Sequence, residues 1–417
     1  MIIHRSPFRL YADPTRVLLR FLNFGHKDRI DPVAAYIDSL SEPEAERQLQ
    51  GILQDFSHRH TRMEEVFELH YYRLADMVAQ DLSPIKKLLL GAYFTHEYSV
   101  QAAALFNPSL VQHPDQSGLP EGDTRIIMSL RATGEGHISS LAFMEGLIRA
   151  DGSMDWDTQK HPLQSGTIIR KPALEDTDYD VSFDKDTPLS GRMLFPHTSV
   201  ESNGMEDVRF VRFEGESDKK YLGTYTAYNG RAIRPQWIET DDFIHFSVKT
   251  MTGQAASDKG MALFPAKIKG KYAMIGRQGG RELSIMYADN RYHWDNYQAL
   301  QGPSRHWEML QMGNCGSPVR TPEGWLLLTH AVGAMRKYVL SMSLLDLDDP
   351  SKVIASLDEP FMHPNEEERE GYVPNVLYTC GMMVHQDNLV IPYAMSDRAI
   401  SVAQVDINEV LSTLLKK

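Results

Sequence analysis

Residues 240–246 read "TDDFIHF", an acidic turn that runs directly into aromatic and aliphatic residues. The same texture returns as "ADNRYHW" at 288–294 and "LDDPSKVI" at 347–354, with a looser echo in "DGSMDWD" at 151–157. Asp242, Asp289 and Asp348 are 47 and 59 residues apart, near the length of a four-stranded propeller blade. Around these turns lie short apolar or alternating runs, among them "RIIMSLRA", "VRFVRF", "YLGTYTAY", "YAMIGR", "WLLLTHAV" and "NLVIPYAMS", separated by turn residues in the manner of an all-β domain. Roughly 310 residues follow position 105, room for five or six such units. The pattern favours a β-propeller over a large β-sandwich with similar turns. A propeller gathers its ligand site on the central axis, so polar residues embedded in apolar strands become the candidates for function.

The chain before that point has a different period. From about residue 30 to 105, "PVAAYIDSLSEPEAERQLQGILQDF" and "SPIKKLLLGAYFTHEYSVQAAALF" carry apolar residues at three- and four-residue steps. Ser41 and Glu44 in "SEPE", with Pro43 near the first turn, predict a helix start with a capping box. The sequence therefore divides into an N-terminal leader and helical region over residues 1–105 and a β domain over 106–417. The helical region is expected to pack on the β domain, to cover one side of its pocket, or to join copies in a homo-oligomer.

Composition excludes several function classes. A net charge of −13 argues against general nucleic-acid binding, which needs a basic surface. Two cysteines, Cys315 and Cys380, rule out a zinc site built on cysteines and fit buried thiols in a reducing compartment. No apolar run reaches the roughly 18 residues of a membrane span, and the first residues lack the apolar core of a signal peptide, so a cytoplasmic location is expected. Nucleophile-elbow, P-loop and dinucleotide glycine patterns are absent. "HRH" at 58–60 falls in the helical region, where adjacent side chains diverge, and no metal is expected.

Two groups of side chains could carry chemistry. Glu206 and Asp207 stand side by side in "NGMEDVRF", residues 203–210, directly before a strand. The second group is basic: Arg231 and Arg234 in "YNGRAIRPQ", Arg277 in "AMIGRQGG", Arg320 in "GSPVRTPEGW", and His330, Arg336 and Tyr338 in "LLLTHAVGAMRKYVL". Charged groups in glycine-rich bends beside apolar strands need a counterion or an anionic ligand, and arginines converging from separate units could bind phosphate or carboxylate bidentately. Each could equally form a salt bridge with one of the 56 acidic residues.

The ordered set "NGMEDVRF", "YLGTYTAYNG", "TDDFIHF", "KGMALFPAKIKGKYAMIGR", "GSPVRTPEGWLLLTHAVG", "YTCGMMV" and "IPYAMSD" resembles glycoside hydrolase family 130, the β-mannoside phosphorylases and β-mannosidases, over roughly residues 106–410. The resemblance implies a mainly β fold, a five-bladed β-propeller with the helices as an N-terminal extension. It implies an inverting enzyme acting on short β-mannosides, with Asp207 as the general acid. Family phosphorylases pass the proton through the mannosyl 3-hydroxyl and use inorganic phosphate as nucleophile, releasing α-mannose 1-phosphate without any other cofactor. The acid must be protonated, and burial or the neighbouring Glu206 is expected to raise its pKa. By motif, Arg277, Arg320, His330 and Tyr338 fall on positions used around phosphate, and Arg231 or Arg234 would add a cation. Asn107, Arg131, Glu206 and Asp397 fall on substrate-binding positions. The sequence departs from the family pattern at Val208, where proline is usual, at Gly276 and Gln278, and at "THA" in place of "YHG". These departures keep a second reading open, an inverting hydrolase in which Glu206 or Glu239 activates water. A non-catalytic glycan-binding propeller is the third.

Overall fold

The computed structural model of the chain describes residues 1–170, 177–215 and 220–416. Its residues group into two units, one formed by Met1–Asp13, Gln101–Lys160 and Ser165–Lys417, the other by Pro14–Val100 and His161–Gln164.

The smaller unit is helical, with Lys27–Ser39, Glu42–Phe56, Met63–Tyr72 and Pro84–Tyr93 beside a strand pair, Val17–Phe21 with Thr95–Ser99. The predicted capping box is present: the Ser41 backbone N–H and hydroxyl donate to the Glu44 carboxylate at 3.0 and 2.7 Å. Pro43 lies in the first turn, where its missing N–H costs nothing. Ala45 and Leu49 are buried on one face of that helix, and Ile52 and Leu53 continue the stripe onto the unit's core. At Gly91 any Cβ would collide with the Phe67 carbonyl, so only glycine lets Pro84–Tyr93 lie this close to Met63–Tyr72.

The larger unit is mainly β. In chain order its strands form five antiparallel meanders among the described residues. The first runs Ala104–Gln112, Thr124–Thr133, Ser139–Ile148, Met154–Trp156, and the second Gly204–Arg212, Tyr221–Tyr228, Ile233–Thr240, His245–Thr250. The third is Ala262–Leu263, Tyr272–Gly276, Leu283–Ala288, Tyr297–Gln301. In the fourth, Gln311–Asn314 and Val319–Thr321 both pair with Gly324–Val332, which leads to Tyr338–Leu345 and Val353–Ser356. In the fifth, Leu377–Tyr378 and Met383–His385 pair with Asn388–Met395, followed by Ala399–Asp406.

Apolar cores lie between successive meanders. Ile127, Leu141 and Phe143 of the first meet Phe210, Tyr225 and Phe246 of the second. Leu222 and Trp237 of the second then meet Met274 and Met286 of the third, and so on to Met342 of the fourth against Ile391 and Tyr393 of the fifth. A sheet covered on both faces has strands with no polar side, and all nine residues of Gly324–Val332 are buried.

The leader does not belong with the helices. His4–Arg5 and Leu10–Tyr11 pair with Ala399–Asp406, completing the last meander with the start of the chain. Arg5 donates to the buried Glu368 at 2.8 Å, and Tyr393 donates to the other oxygen of the same carboxylate at 2.8 Å. The boundary drawn at residue 105 from helical period thus differs from the structural one, because strand pairing over the whole chain length leaves no local signature. Among the described residues no helix is long and apolar enough to cross a membrane.

Candidate active site

All five meanders contribute to one cavity of about 300 Å³. Asn107 and Asp207 enter it from the first strands of the first two meanders, each at a β-bulge and each with a left-handed backbone, φ +50° and +55°. Asn and Asp tolerate that conformation better than other non-glycine residues, and a bulge turns a side chain that would lie along the sheet toward the ligand. The two residues meet: Asn107 Nδ2 donates to Asp207 Oδ1 at 2.7 Å.

Asp207 is surrounded by cations. Arg131 donates to Asp207 Oδ1 at 3.2 Å, to Glu206 Oε1 at 2.7 Å and to the Ser139 hydroxyl at 2.9 Å, and its guanidinium lies 4.8 Å over the Phe106 ring. Lys259 donates to the other Glu206 oxygen at 2.8 Å. Arg209, fully buried beneath, donates to the Asp207 backbone carbonyl and the Tyr378 hydroxyl, both at 2.8 Å. Burial pushes the Asp207 pKa up, but Arg131, Arg209, the Asn107 hydrogen bond and Lys259 outweigh it and hold the carboxyl below its ordinary value. The expected rise at Asp207 is therefore reversed, since Glu206 arrives with Arg131 and Lys259 already attached. The carboxyl that rises is Asp397: burial lifts it to about 6, Asp207 adds to the rise, and Arg131 and Arg336 oppose it.

Two further guanidinium groups, those of Arg277 and Arg336, line the same cavity. The Arg277 side chain has no carboxylate or hydrogen-bond partner among the described residues and its Nε is buried without an acceptor, whereas Arg336 is exposed and its charge acts on Asp397. A buried donor left unpaired is costly unless a ligand supplies the acceptor.

His330 lines the same wall, stacked on Tyr338 at 5.9 Å between ring centres and edge-on to Tyr378 at 4.8 Å. Its ring fits because position 313 is glycine: a Cβ there would overlap the imidazole. Burial, then Arg277 and Arg209, push its pKa well below the usual histidine value, so His330 is a neutral hydrogen-bonding group and not a cation.

Of the residues chosen from sequence, the cavity brings together Asn107, Arg131, Asp207, Arg277, His330, Tyr338 and Asp397, with Glu206 gripping Arg131 and Lys259 from behind. Three arginines are elsewhere. Arg231 and Arg234 are exposed at the turn joining Tyr221–Tyr228 to Ile233–Thr240. Arg320 is exposed on Val319–Thr321 and lines a different cavity with Arg212 and Glu323. A motif fixes the strand an arginine follows but not which end of the sheet it reaches. Glu239 is also occupied: it is buried and accepts from Trp237 Nε1, Tyr292 and Arg291 at 3.0 to 3.3 Å.

Sequence reasoning passed over Lys259, Gln311, Asn314 and Tyr378 and did not retain Arg336. Lys259 lies in the turn "SDKG", where Asp258 and Gly260 both have positive φ, directly before the apolar "MALF"; a lysine between turn residues at a strand entry was the available signal.

Comparison with known proteins gives a consistent result. The model of the glycoside hydrolase 130 family described as beta-1,4-mannooligosaccharide phosphorylase matches residues 184–416. A 1,2-beta-oligomannan phosphorylase from Thermoanaerobacter sp. (strain X514) is 34% identical over 227 residues, 53% of this chain and 75% of that one. A beta-1,2-mannobiose phosphorylase of the same strain is 34% identical over 211 residues, 49% of this chain and 68% of the other. Among solved structures, the beta-1,2-mannobiose phosphorylase from Listeria innocua in complex with beta-1,2-mannobiose aligns with a TM-score of 0.57 at 18% identity, over 77% of this chain and 94% of that one.

Proposed function

Because the chain belongs to glycoside hydrolase family 130, we propose that it is an inverting β-mannoside phosphorylase, cleaving short β-mannosides with inorganic phosphate to release α-mannose 1-phosphate. The observation that carries the choice of phosphate over water is the unpartnered guanidinium of Arg277, its Nε buried without an acceptor in the cavity that holds Asp207, with the exposed Arg336 adding charge at the same wall. A hydrolase would instead need a second carboxylate free to activate water. Glu206 is tied to Arg131 and Lys259, and Glu239 to Trp237, Tyr292 and Arg291, which disfavours both as bases.

In this reading phosphate, held by Arg277 and Arg336 and by hydrogen bonds from neutral His330 and Tyr338, attacks C1 of the mannosyl unit from the face opposite the leaving group. The new C1–O bond to phosphate forms as the glycosidic C1–O bond breaks. Asp207 gives its proton to the mannosyl 3-hydroxyl, which passes its own to the departing oxygen, leaving α-mannose 1-phosphate and a mannoside shortened by one unit. The Asp207 carboxyl starts below its ordinary pKa, and the phosphate charge brought into the cavity raises it, so the nucleophile itself helps to protonate the acid. Asn107, Arg131 and Asp397 orient the sugar and the acid, with Glu206 fixing Arg131.

The five meanders with cores between neighbours and one shared cavity support a five-bladed β-propeller carrying a helical extension. Two buried free thiols, Cys315 and Cys380, support a cytoplasmic location. The exposed Leu69, Tyr72 and Tyr93 support a homo-oligomer through the helices. The relatives named for β-1,2-mannosides make that linkage the first to test.

The deciding experiment is product analysis on β-mannobioses of different linkage with and without phosphate. Mannose 1-phosphate of α configuration, formed only with phosphate, is the expected result. Free mannose at a phosphate-independent rate would overturn it in favour of the hydrolase.

A further inference from the structure

We propose that Tyr372 and His137 form an outer sugar subsite at the mouth of the cavity, taking a mannosyl unit of β-mannosides longer than two residues. The inference rests on the mannoside reading above and adds to it a preference for chain length.

Both rings are exposed, Tyr372 at 58%, so neither serves the core. They are nevertheless held together: ring centres 6.2 Å apart, planes inclined by 28°, and a hydrogen bond between the tyrosine hydroxyl and His137 Nδ1 at 3.3 Å. A lone exposed aromatic needs no explanation, whereas two rings stacked and hydrogen-bonded to each other keep a fixed aromatic face open to solvent. One face of a pyranose is a patch of C–H groups, and an aromatic surface of this kind removes that patch from water while the hydroxyls at its rim remain solvated.

Each ring is mounted on an element of the cavity wall. His137 closes the tight turn after Thr124–Thr133, the strand of Arg131, and stands two residues before Ser139, whose hydroxyl accepts from Arg131. Its own φ of +59° follows Gly136 at +63°, and the loop is shut by the Gly134 N–H to Ile138 carbonyl bond at 3.0 Å. Tyr372 lies between Gly371, where any Cβ would strike the Ser396 carbonyl, and Val373, which lines the cavity and donates to that carbonyl at 3.1 Å. The ring is thus attached to the turn that carries Asp397. A cavity of about 300 Å³ is at the small end for ligand pockets, so the outer units of a longer mannoside must lie beyond its lining, where the loops that carry these two rings begin.

The test compares Tyr372→Ala, His137→Ala and Tyr372→Phe with the wild-type protein on β-mannosides of two, three and four units. It measures phosphorolysis with phosphate and, separately, calorimetric binding in phosphate-free buffer. The expected result is a loss in kcat/KM and affinity from Tyr372→Ala that is about five- to tenfold larger for the trimer and tetramer than for the dimer. His137→Ala should show the same trend, and Tyr372→Phe, which keeps the ring, should recover most of it. A loss equal at all lengths, or none, overturns the subsite. If the wild type fails to phosphorolyse any length while the length-dependent binding loss persists, the phosphorylase reading falls and the subsite stands.

Discussion

Replacing Arg277 by alanine separates an anion site from a structural arginine. Its guanidinium faces the cavity with no protein partner, and its Nε is a buried donor without an acceptor. If phosphate supplies those acceptors, the variant loses charge-assisted hydrogen bonds of about 1.5–3 kcal/mol. At roughly 1.4 kcal/mol per decade, the KM for phosphate should rise about 10- to 150-fold. The KM for the mannoside should change far less. The same substitution removes an unsatisfied buried donor, a cost of about 1–3 kcal/mol, so thermal stability should be unchanged or higher. Arg277→Lys should recover part of the phosphate affinity, since a point charge replaces a fork. Initial rates over a phosphate series, run beside a thermal melt, read both effects. Arg320→Ala, exposed and in another cavity, is the control and should leave the phosphate KM within about twofold. An Arg277→Ala protein with unchanged phosphate KM, or one that melts several degrees earlier, would refute the reasoning.

Asp207→Asn keeps a residue that tolerates the positive φ and should lower kcat by roughly 10²–10⁴ while sugar binding survives in calorimetry. Because Asp207 is held low by its cations, phosphate binding near pH 7 should take up protons in the wild type and fewer in Asp207→Asn, read as a dependence of binding heat on the buffer's ionisation enthalpy. Asp397 has a folded pKa of about 6 against 3.8 unfolded, so the folded state binds the proton more tightly and stability falls as pH rises between those values. Asp397→Asn should therefore gain stability relative to wild type above pH 6, on the order of 3 kcal/mol at most, and lose that advantage below pH 4; denaturant melts across pH would show equal offsets if the assignment is wrong. Gly313→Ala should push His330 from its place, costing about 1–3 kcal/mol of stability and lowering turnover, and a crystal structure with the ring unmoved would contradict this.

Much of the fold is visible in local chemistry. The capping box at Ser41 and Glu44, the helical stripe of Ala45 and Leu49, and the apolar runs between acidic turns are each decided by neighbours a few residues away. That Asp207 faces the cavity was likewise legible, because its motif belongs to an ordered set shared with the family. Lys259 was not, since a lysine in a turn before an apolar run reads equally well as an ordinary exposed turn residue. Arg320 misled because its motif is sound but its strand end opens on the other cavity.

The electrostatics of the site belong to the tertiary structure. From sequence, Glu206 beside Asp207 reads as two repelling carboxylates and a raised pKa. In the fold Arg131, 76 residues from Asp207, and Lys259, 53 residues from Glu206, reverse the sign. The leader's place is of the same kind, as His4–Arg5 pairs with a strand almost 400 residues later. Sequence by itself determined where most strands, helices and turns form, because these depend on short-range sterics and period. Which cations face Asp207, that Arg277 is left without a partner, and which carboxyl rises in pKa were decided only when strands distant in the chain met around one cavity, because Coulomb forces act through space and not along the chain.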